Sequence, residues 1–176
     1  MTPSTGHSVL QLPVPPLEDW VRERTRHHDA GFVSADPRFG HAHVTVLAPF
    51  APEPSAADLA ALTDIADATE RMAVRLTELG QFPDGIIHVR LEPDEPLRAL
   101  TARLVATFPR FEPYEGAFGP HPVPHVTLDA ATPTVTIEST RRWLGDTVPC
   151  ACTLTRLQLA WWESGRCHVM HEWTLG

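Results

Sequence analysis

The sequence contains the same order of predicted strands and helices twice. Alternation of apolar and polar residues predicts strands at residues 7–14, 41–47, 72–79, 86–91, 123–128, 152–162 and 167–175. Apolar residues at helical spacing predict helices at residues 15–28, 55–69, 96–108 and 137–144. A chain of 176 residues suits one buried core, so we interpret it as a single domain. That domain consists of two β-α-β-α-β units, at roughly 1–84 and 85–176, with an extra closing strand.

Each unit carries one His-x-Thr motif on its second strand. The motifs are His43-Val44-Thr45 and His125-Val126-Thr127. Residues i and i+2 of a strand point to the same face, so each histidine shares a face with its threonine and each valine faces the other way. One such motif in a protein with ten histidines carries little weight, whereas two at equivalent places are a strong signal. If a pseudo-twofold axis relates the units, both motifs converge on one site.

Two imidazoles and two hydroxyls are the groups that acid–base phosphoryl chemistry needs. A neutral histidine can take a proton from the attacking group while a protonated histidine gives one to the leaving oxygen. The ordinary histidine pKa, about 6.5, allows both roles near neutral pH. We therefore expect His43 and His125 to be catalytic, with Thr45 and Thr127 donating hydrogen bonds to phosphate oxygens. This chemistry requires no metal or other cofactor, and the near equivalence of the motifs leaves open which histidine is the base.

The motifs resemble those of the 2H phosphoesterase superfamily and, within it, of the 2′-5′ RNA ligase-like group. The resemblance rests on four segments, at residues 43–50, 113–118, 124–128 and 175–176. It implies an α+β fold, with two pseudo-symmetric lobes of mainly antiparallel β-sheet forming a central cleft and helices packed on the outside. It also implies metal-independent hydrolysis of a phosphodiester, first of all a 2′,3′-cyclic phosphate opened to a 2′-phosphate.

Two other functions stay open at this stage. One is ligation or hydrolysis of 2′,5′ linkages in RNA, and the other is binding of a nucleotide without catalysis. The formal net charge of −8 argues against a broad basic face for long nucleic acid, because phosphate contacts need an excess of basic side chains. The expected partner is therefore a small nucleotide or an RNA end.

A long irregular loop at residues 109–124 precedes the second motif. Its Tyr114 and Phe118 either stack on a base at the mouth of the cleft or pack the loop onto the body of the protein. His41 lies two residues before His43, which predicts a place at the cleft edge, and His121 is a similar candidate. Three arginines in or near predicted strands are candidates for holding the phosphate: Arg90, Arg156 and Arg166.

The cysteines form an odd set without disulfide-rich spacing, and we expect reduced thiols. Cys150 and Cys152 could bind zinc together with Cys167 and His168, but this spacing fits zinc poorly, and packing on strands explains the cysteines as well. The sequence shows neither a signal peptide nor an apolar stretch long enough to cross a membrane. We therefore expect a cytoplasmic protein that is monomeric and does not bind membranes.

Overall fold

One antiparallel sheet of eight strands forms the centre of the computed structural model, which describes residues 6–176. The strands are β1 (His7–Pro13), β2 (His43–Phe50), β3 (Met72–Gln81), β4 (Ile86–Glu92), β5 (His125–Ala130), β6 (Cys150–Leu154), β7 (Arg156–Trp162) and β8 (His168–Thr174). The α-helices are α1 (Glu18–Asp29), α2 (Ala56–Asp67), α3 (Glu95–Thr107) and α4 (Ile137–Leu144). The predicted α+β class is confirmed, and no helix of the described part of the chain is long and apolar enough to cross a bilayer.

Local sequence signals explain where two of the helices begin. Ser55 caps α2, since its side chain accepts a hydrogen bond from the backbone N–H of Asp58 and the Asp58 carboxylate accepts one from the backbone N–H of Ser55. Thr136 and Ser139 form the same reciprocal pair at the start of α4. Such pairs satisfy backbone donors that have no partner inside the helix.

The order of strands in the sheet is β6-β3-β4-β5-β2-β1-β7-β8. β2 and β5 lie side by side at the centre, and three further strands extend the sheet on each side. β3 belongs to the first half of the sequence but lies beside β4 of the second half, whereas β7 belongs to the second half and lies beside β1 of the first. The two units therefore exchange strands, and a boundary at residue 84 does not separate the two halves of the sheet.

The strand predicted at residues 152–162 is two strands in the structure. β6 pairs with β3 in one half of the sheet, and β7 pairs with β1 in the other half. Thr155 stands between them and belongs to neither strand. Alternation of side chains continues across such a break, so the sequence pattern alone does not reveal that the chain changes partners there.

The valines of the two motifs belong to a single hydrophobic core that both halves of the sheet share. Val44 and Val126 are fully buried, and each is the partner of the other across β2 and β5. The same cluster contains buried leucines from α2 and α3, namely Leu62, Leu97, Leu100 and Leu104. The apolar positions of the motifs thus attach the two central strands to the core, while the polar positions face away from it.

Replacing Val44 with alanine tests how much this central pair contributes to stability. We expect Val44→Ala to lower the free energy of unfolding by about 2 kcal/mol, because it removes two buried methyl groups and leaves a cavity. Val105→Ala is the matched control on α3, where the valine is half-buried and alanine favours the helix. Urea denaturation of both variants measures the free energy of unfolding. An equal decrease in both would show that the Val44–Val126 pair contributes no more to stability than a half-buried valine does.

Candidate active site

The pairing of β2 with β5 brings the two His-x-Thr motifs together. The strands are antiparallel and Val44 lies opposite Val126, so His43 stands across from Thr127 and Thr45 across from His125. All four polar side chains line one cavity of about 540 Å³. The structure therefore brings the four predicted residues to one place, with each histidine beside the threonine of the other motif.

Backbone carbonyls orient both imidazoles in the same way. Nδ1 of His43 lies 2.9 Å from the carbonyl oxygen of His41, and Nδ1 of His125 lies 2.7 Å from that of Val123. A carbonyl oxygen only accepts hydrogen bonds, so Nδ1 carries the proton in each neutral ring. Nε2 is then the atom that can exchange a proton with a ligand in the cavity.

An aromatic side chain packs against each of these histidines. The Trp162 ring centroid lies 5.2 Å from that of His43, and the Phe82 centroid lies 4.8 Å from that of His125. Both aromatic residues limit the access of water to the imidazole beside them. The pseudo-symmetry of the two motifs therefore extends to the residues that surround them.

A buried polar residue holds each aromatic ring in place. Gln11 lies opposite Thr45 in the β1–β2 pair, and its Oε1 accepts a hydrogen bond of 3.0 Å from Nε1 of Trp162. His88 lies opposite Thr127 in the β4–β5 pair and stacks on Phe82 with 3.9 Å between ring centroids. Gln11 and His88 occupy equivalent positions, yet one acts by a hydrogen bond and the other by stacking.

Burial lowers the pKa of both histidines. The pKa of His43 falls to about 4, since burial disfavours the charged ring more than its hydrogen bonds to backbone carbonyls favour it. Burial also lowers the pKa of His125, and there the hydrogen bond to Val123 and the negative charge of Asp84 act in the opposite direction. Both rings are therefore mostly neutral at pH 7 in the free protein.

The loop before the second motif supplies the outer wall of the cavity. Tyr114 and Phe118 both line it, and their rings meet edge to face with 5.1 Å between centroids. Tyr114 is half-buried beside Thr45, and burial raises the pKa of its phenol, whereas Phe118 is 57% exposed at the rim. Tyr114 and Glu115 both adopt left-handed backbone conformations, with φ of 51° and 52°, which side chains other than glycine rarely adopt.

His121 also lines this cavity, but His41 does not. His41 is buried, with Nδ1 2.6 Å from Oε1 of Glu18 and Nε2 accepting a hydrogen bond from the backbone N–H of Ser34. His41 lines an adjoining cavity that shares His43 and Thr127 with this one, so its predicted place at the edge of the cleft stays a prediction. Its two hydrogen bonds also fasten the turn that leads into the motif.

None of the three arginines predicted from the sequence lines the cavity. Arg156 pairs with Glu172, and Arg166 pairs with Glu163 at an exposed turn. Arg90 lies opposite His125 in the β4–β5 pair, but its side chain is exposed and lines a different cavity. Being in or near a strand does not determine which face of the sheet a long arginine side chain reaches. The sequence offers no further information about these three arginines.

Sequence reasoning missed a charged cluster at the end of α1. Nε of Arg24 lies 2.5 Å from Oδ2 of Asp129, and Nε2 of His28 lies 2.6 Å from Oδ1 of the same carboxylate. Asp129 comes two residues after Thr127 on β5, so strand alternation predicts that both side chains lie on the same face of the sheet. Arg24 and His28 give no such signal, because helical spacing shows only that they share one face of α1.

The cysteines do not assemble into the alternative zinc site. Cys150 and Cys152 lie on β6 at one edge of the sheet, and Cys167 adjoins β8 at the other edge. Burial raises the pKa of all three thiols. Within residues 6–176, no group of three or more histidine, cysteine, aspartate or glutamate side chains is arranged to hold a metal ion.

Comparison with known proteins identifies the family. A family model described as the 2′-5′ RNA ligase superfamily matches residues 13–166. The chain belongs to the 2′-5′ RNA ligase superfamily. The resemblance inferred from the motifs is thereby confirmed, and the matched region includes both His-x-Thr motifs of this superfamily member. No curated protein matches the sequence.

Solved structures share the fold of this 2′-5′ RNA ligase superfamily member over almost its whole length. E. coli LigT complexed with 3′-AMP is 21% identical, with 97% of this chain and 98% of that chain covered and a TM-score of 0.55. TT0787 of Thermus thermophilus is 17% identical, with 96% of this chain and 97% of that chain covered and a TM-score of 0.56. At these identities the likeness establishes the fold.

Removing the indole beside His43 tests whether burial sets the pKa of that histidine. We expect Trp162→Ala to raise the pKa of His43 from about 4 toward 6.5, because water then reaches the ring. NMR titration of the histidine ring signals measures this shift. Trp173→Ala is the control, since Trp173 donates a hydrogen bond to Thr63 and does not line the cavity. An unchanged pKa of His43 in Trp162→Ala would contradict burial as the cause.

Proposed function

We propose that this protein is a metal-independent phosphoesterase that opens the 2′,3′-cyclic phosphate of a nucleotide or an RNA end to a 2′-phosphate. The main support for the proposal is the register of β2 and β5. In this register each histidine lies beside the threonine of the other motif, and all four side chains line one cavity. Two proton-transfer groups and two hydroxyl donors then surround the place where a phosphorus atom would lie.

The reaction proceeds by attack of water on phosphorus. One neutral imidazole accepts the proton of the attacking water at Nε2, while the other, protonated imidazole donates its Nε2 proton to the leaving 3′-oxygen. The bond from water oxygen to phosphorus forms as the bond from phosphorus to the 3′-oxygen breaks, and the phosphate remains on the 2′-oxygen. The hydroxyls of Thr45 and Thr127 donate hydrogen bonds to the non-bridging oxygens, where negative charge increases.

The surroundings of the two histidines support a division of roles. His43 has the more strongly lowered pKa and packs against Trp162, so it stays neutral and serves as the base. The pKa of His125 is lowered less, and the negative charge of Asp84 favours its protonated form as Glu18 does for His43, so His125 is the ring that serves as the acid. Two titratable groups whose surroundings differ in this way are typical of an acid–base pair.

The cavity and the charge of the protein support a small nucleotide substrate. Aromatic rings of Phe82, Tyr114 and Phe118 line the cavity and offer surfaces on which a base can stack. A LigT structure of the same fold was determined in complex with 3′-AMP, which is a nucleotide of suitable size. The superfamily description keeps 2′,5′ linkages as a second candidate substrate, although the net charge of −8 opposes binding of long RNA.

Turnover of the four nucleoside 2′,3′-cyclic monophosphates in the presence of EDTA tests the proposal. We expect wild type to form 2′-phosphates, which ³¹P NMR identifies. His43→Ala and His125→Ala should each lower kcat by at least about 100-fold, because each removes one proton transfer. Thr45→Val and Thr127→Val should lower kcat by about 100-fold, because each removes a hydrogen bond to the developing charge. His168→Ala, at an exposed position on β8, is the control and should retain wild-type activity.

Three outcomes would contradict the proposal. They are a folded wild-type protein that turns over none of the four substrates, an activity that EDTA abolishes, and a histidine variant of either motif that keeps full activity. A 2′,5′-linked dinucleotide assayed in parallel distinguishes the two candidate functions. Its cleavage without turnover of any cyclic phosphate would support 2′,5′-phosphodiester hydrolysis instead.

A further inference from the structure

A second cavity opens beside the two motifs, at the end of α1. It has a volume of about 330 Å³ and shares His43 and Thr127 with the central cavity. Its other walls include Arg24 and His28 from α1 and Asp129 from β5. We call this space the α1 cavity. A ligand held at the motifs can therefore extend into it without leaving the protein surface.

Arg24 is fixed in the α1 cavity but uses little of its hydrogen-bonding capacity. Its Nε is bound to Asp129, and its guanidinium lies 5.5 Å from the centroid of the Trp143 ring. The side chain is only 18% exposed, and within residues 6–176 its Nη2 is buried without an acceptor. A guanidinium has five N–H donors, and the Nε donor is the one used here. Arg24 thus offers a positive charge with unused donors that two neighbours hold in position.

The two carboxylates that line the α1 cavity, those of Asp129 and Asp29, already have hydrogen-bond partners. The Asp129 carboxylate is fully buried and is occupied on both oxygens by Arg24 and His28. His28 is 45% exposed beside Arg24, so its ring can also reach a ligand. Asp29 lines the same cavity, but its carboxylate accepts a hydrogen bond from the backbone N–H of Gly31. Arg24 therefore keeps unused donors in this cavity, beside the hydroxyl of Thr127 and the ring of His28.

We propose that the α1 cavity binds a second phosphate of the substrate, distinct from the phosphate that is hydrolysed. This inference rests on the proposed function and specifies its substrate class. A nucleoside 2′,3′-cyclic phosphate with a phosphate on its 5′-oxygen carries two anionic groups separated by one ribose. The cyclic phosphate lies between the motifs, and the 5′-phosphate reaches Arg24. That second group is either a terminal monoester or the diester that joins the last two nucleotides of an RNA.

Calorimetric binding of reaction products tests the proposal without turnover. Three ligands are compared at one pH and ionic strength: adenosine 2′-monophosphate, adenosine 2′,5′-bisphosphate and an adenosine dinucleotide with a terminal 2′-phosphate. We expect the second or the third to bind wild type about tenfold tighter than the first, because a charge-assisted hydrogen bond is added. Tighter binding of the bisphosphate identifies a monoester, and tighter binding of the dinucleotide identifies the RNA diester.

Arg24→Gln should reduce the ratio of the two dissociation constants from about ten to about one. The glutamine amide can still donate a hydrogen bond to Asp129 and so keep α1 attached to β5. Arg98→Gln is the matched control on α3, where Arg98 pairs with Asp94, and it should keep the wild-type preference. Thermal melting verifies that both variants are folded.

Equal affinity of wild type for all three ligands would overturn the subsite and leave the proposed function intact, and this comparison needs no variant. Preference retained in folded Arg24→Gln would also overturn it. If none of the three ligands binds, the proposed function fails and the subsite fails with it.

Discussion

The antiparallel pairing of β2 with β5 holds the two halves of the sheet together and builds the site at the same time. Val44 and Val126 meet in the core on one side, and the register they set brings the two histidines and two threonines together on the other. A shift of one residue would turn the polar side chains into the core and the valines into the cleft. Burial of two apolar side chains therefore determines where the polar groups lie, and the proposed function depends on this packing.

The surroundings of the motifs then set the protonation of the imidazoles. Backbone carbonyls hold Nδ1 of both rings, and Trp162 and Phe82 shield the rings from water. Burial lowers both pKa values and lowers that of His43 further, although the negative charges of Glu18 and Asp84 act in the opposite direction on His43 and His125 respectively. Two motifs of the same sequence thus acquire different proton affinities from residues outside the motifs. This difference is what an acid–base pair requires.

Much of this arrangement follows from local sequence patterns, and the remainder depends on which strands pair. The positions of the helices and the facing of each His-x-Thr motif depend on residues close together in the chain, so periodicity predicts them. The exchange of β3 and β7 between the halves of the sheet depends on long-range pairing, which periodicity does not show. Contacts between distant segments, such as that of Arg24 with Asp129, escape prediction for the same reason.

The dependence of kcat/KM on pH for a nucleoside 2′,3′-cyclic phosphate tests whether His43 and His125 act as base and acid, since it reports the titration of both groups in the free protein. The base limb should lie near the His43 pKa of about 4, and the acid limb below the ordinary histidine value of about 6.5. We therefore predict a bell-shaped profile with its maximum between these limits. The rate constant falls on the acid side as His43 gains a proton, and it falls on the alkaline side as His125 loses one. A kcat/KM that continues to rise above pH 7 would contradict the account, because no step would then require a protonated imidazole.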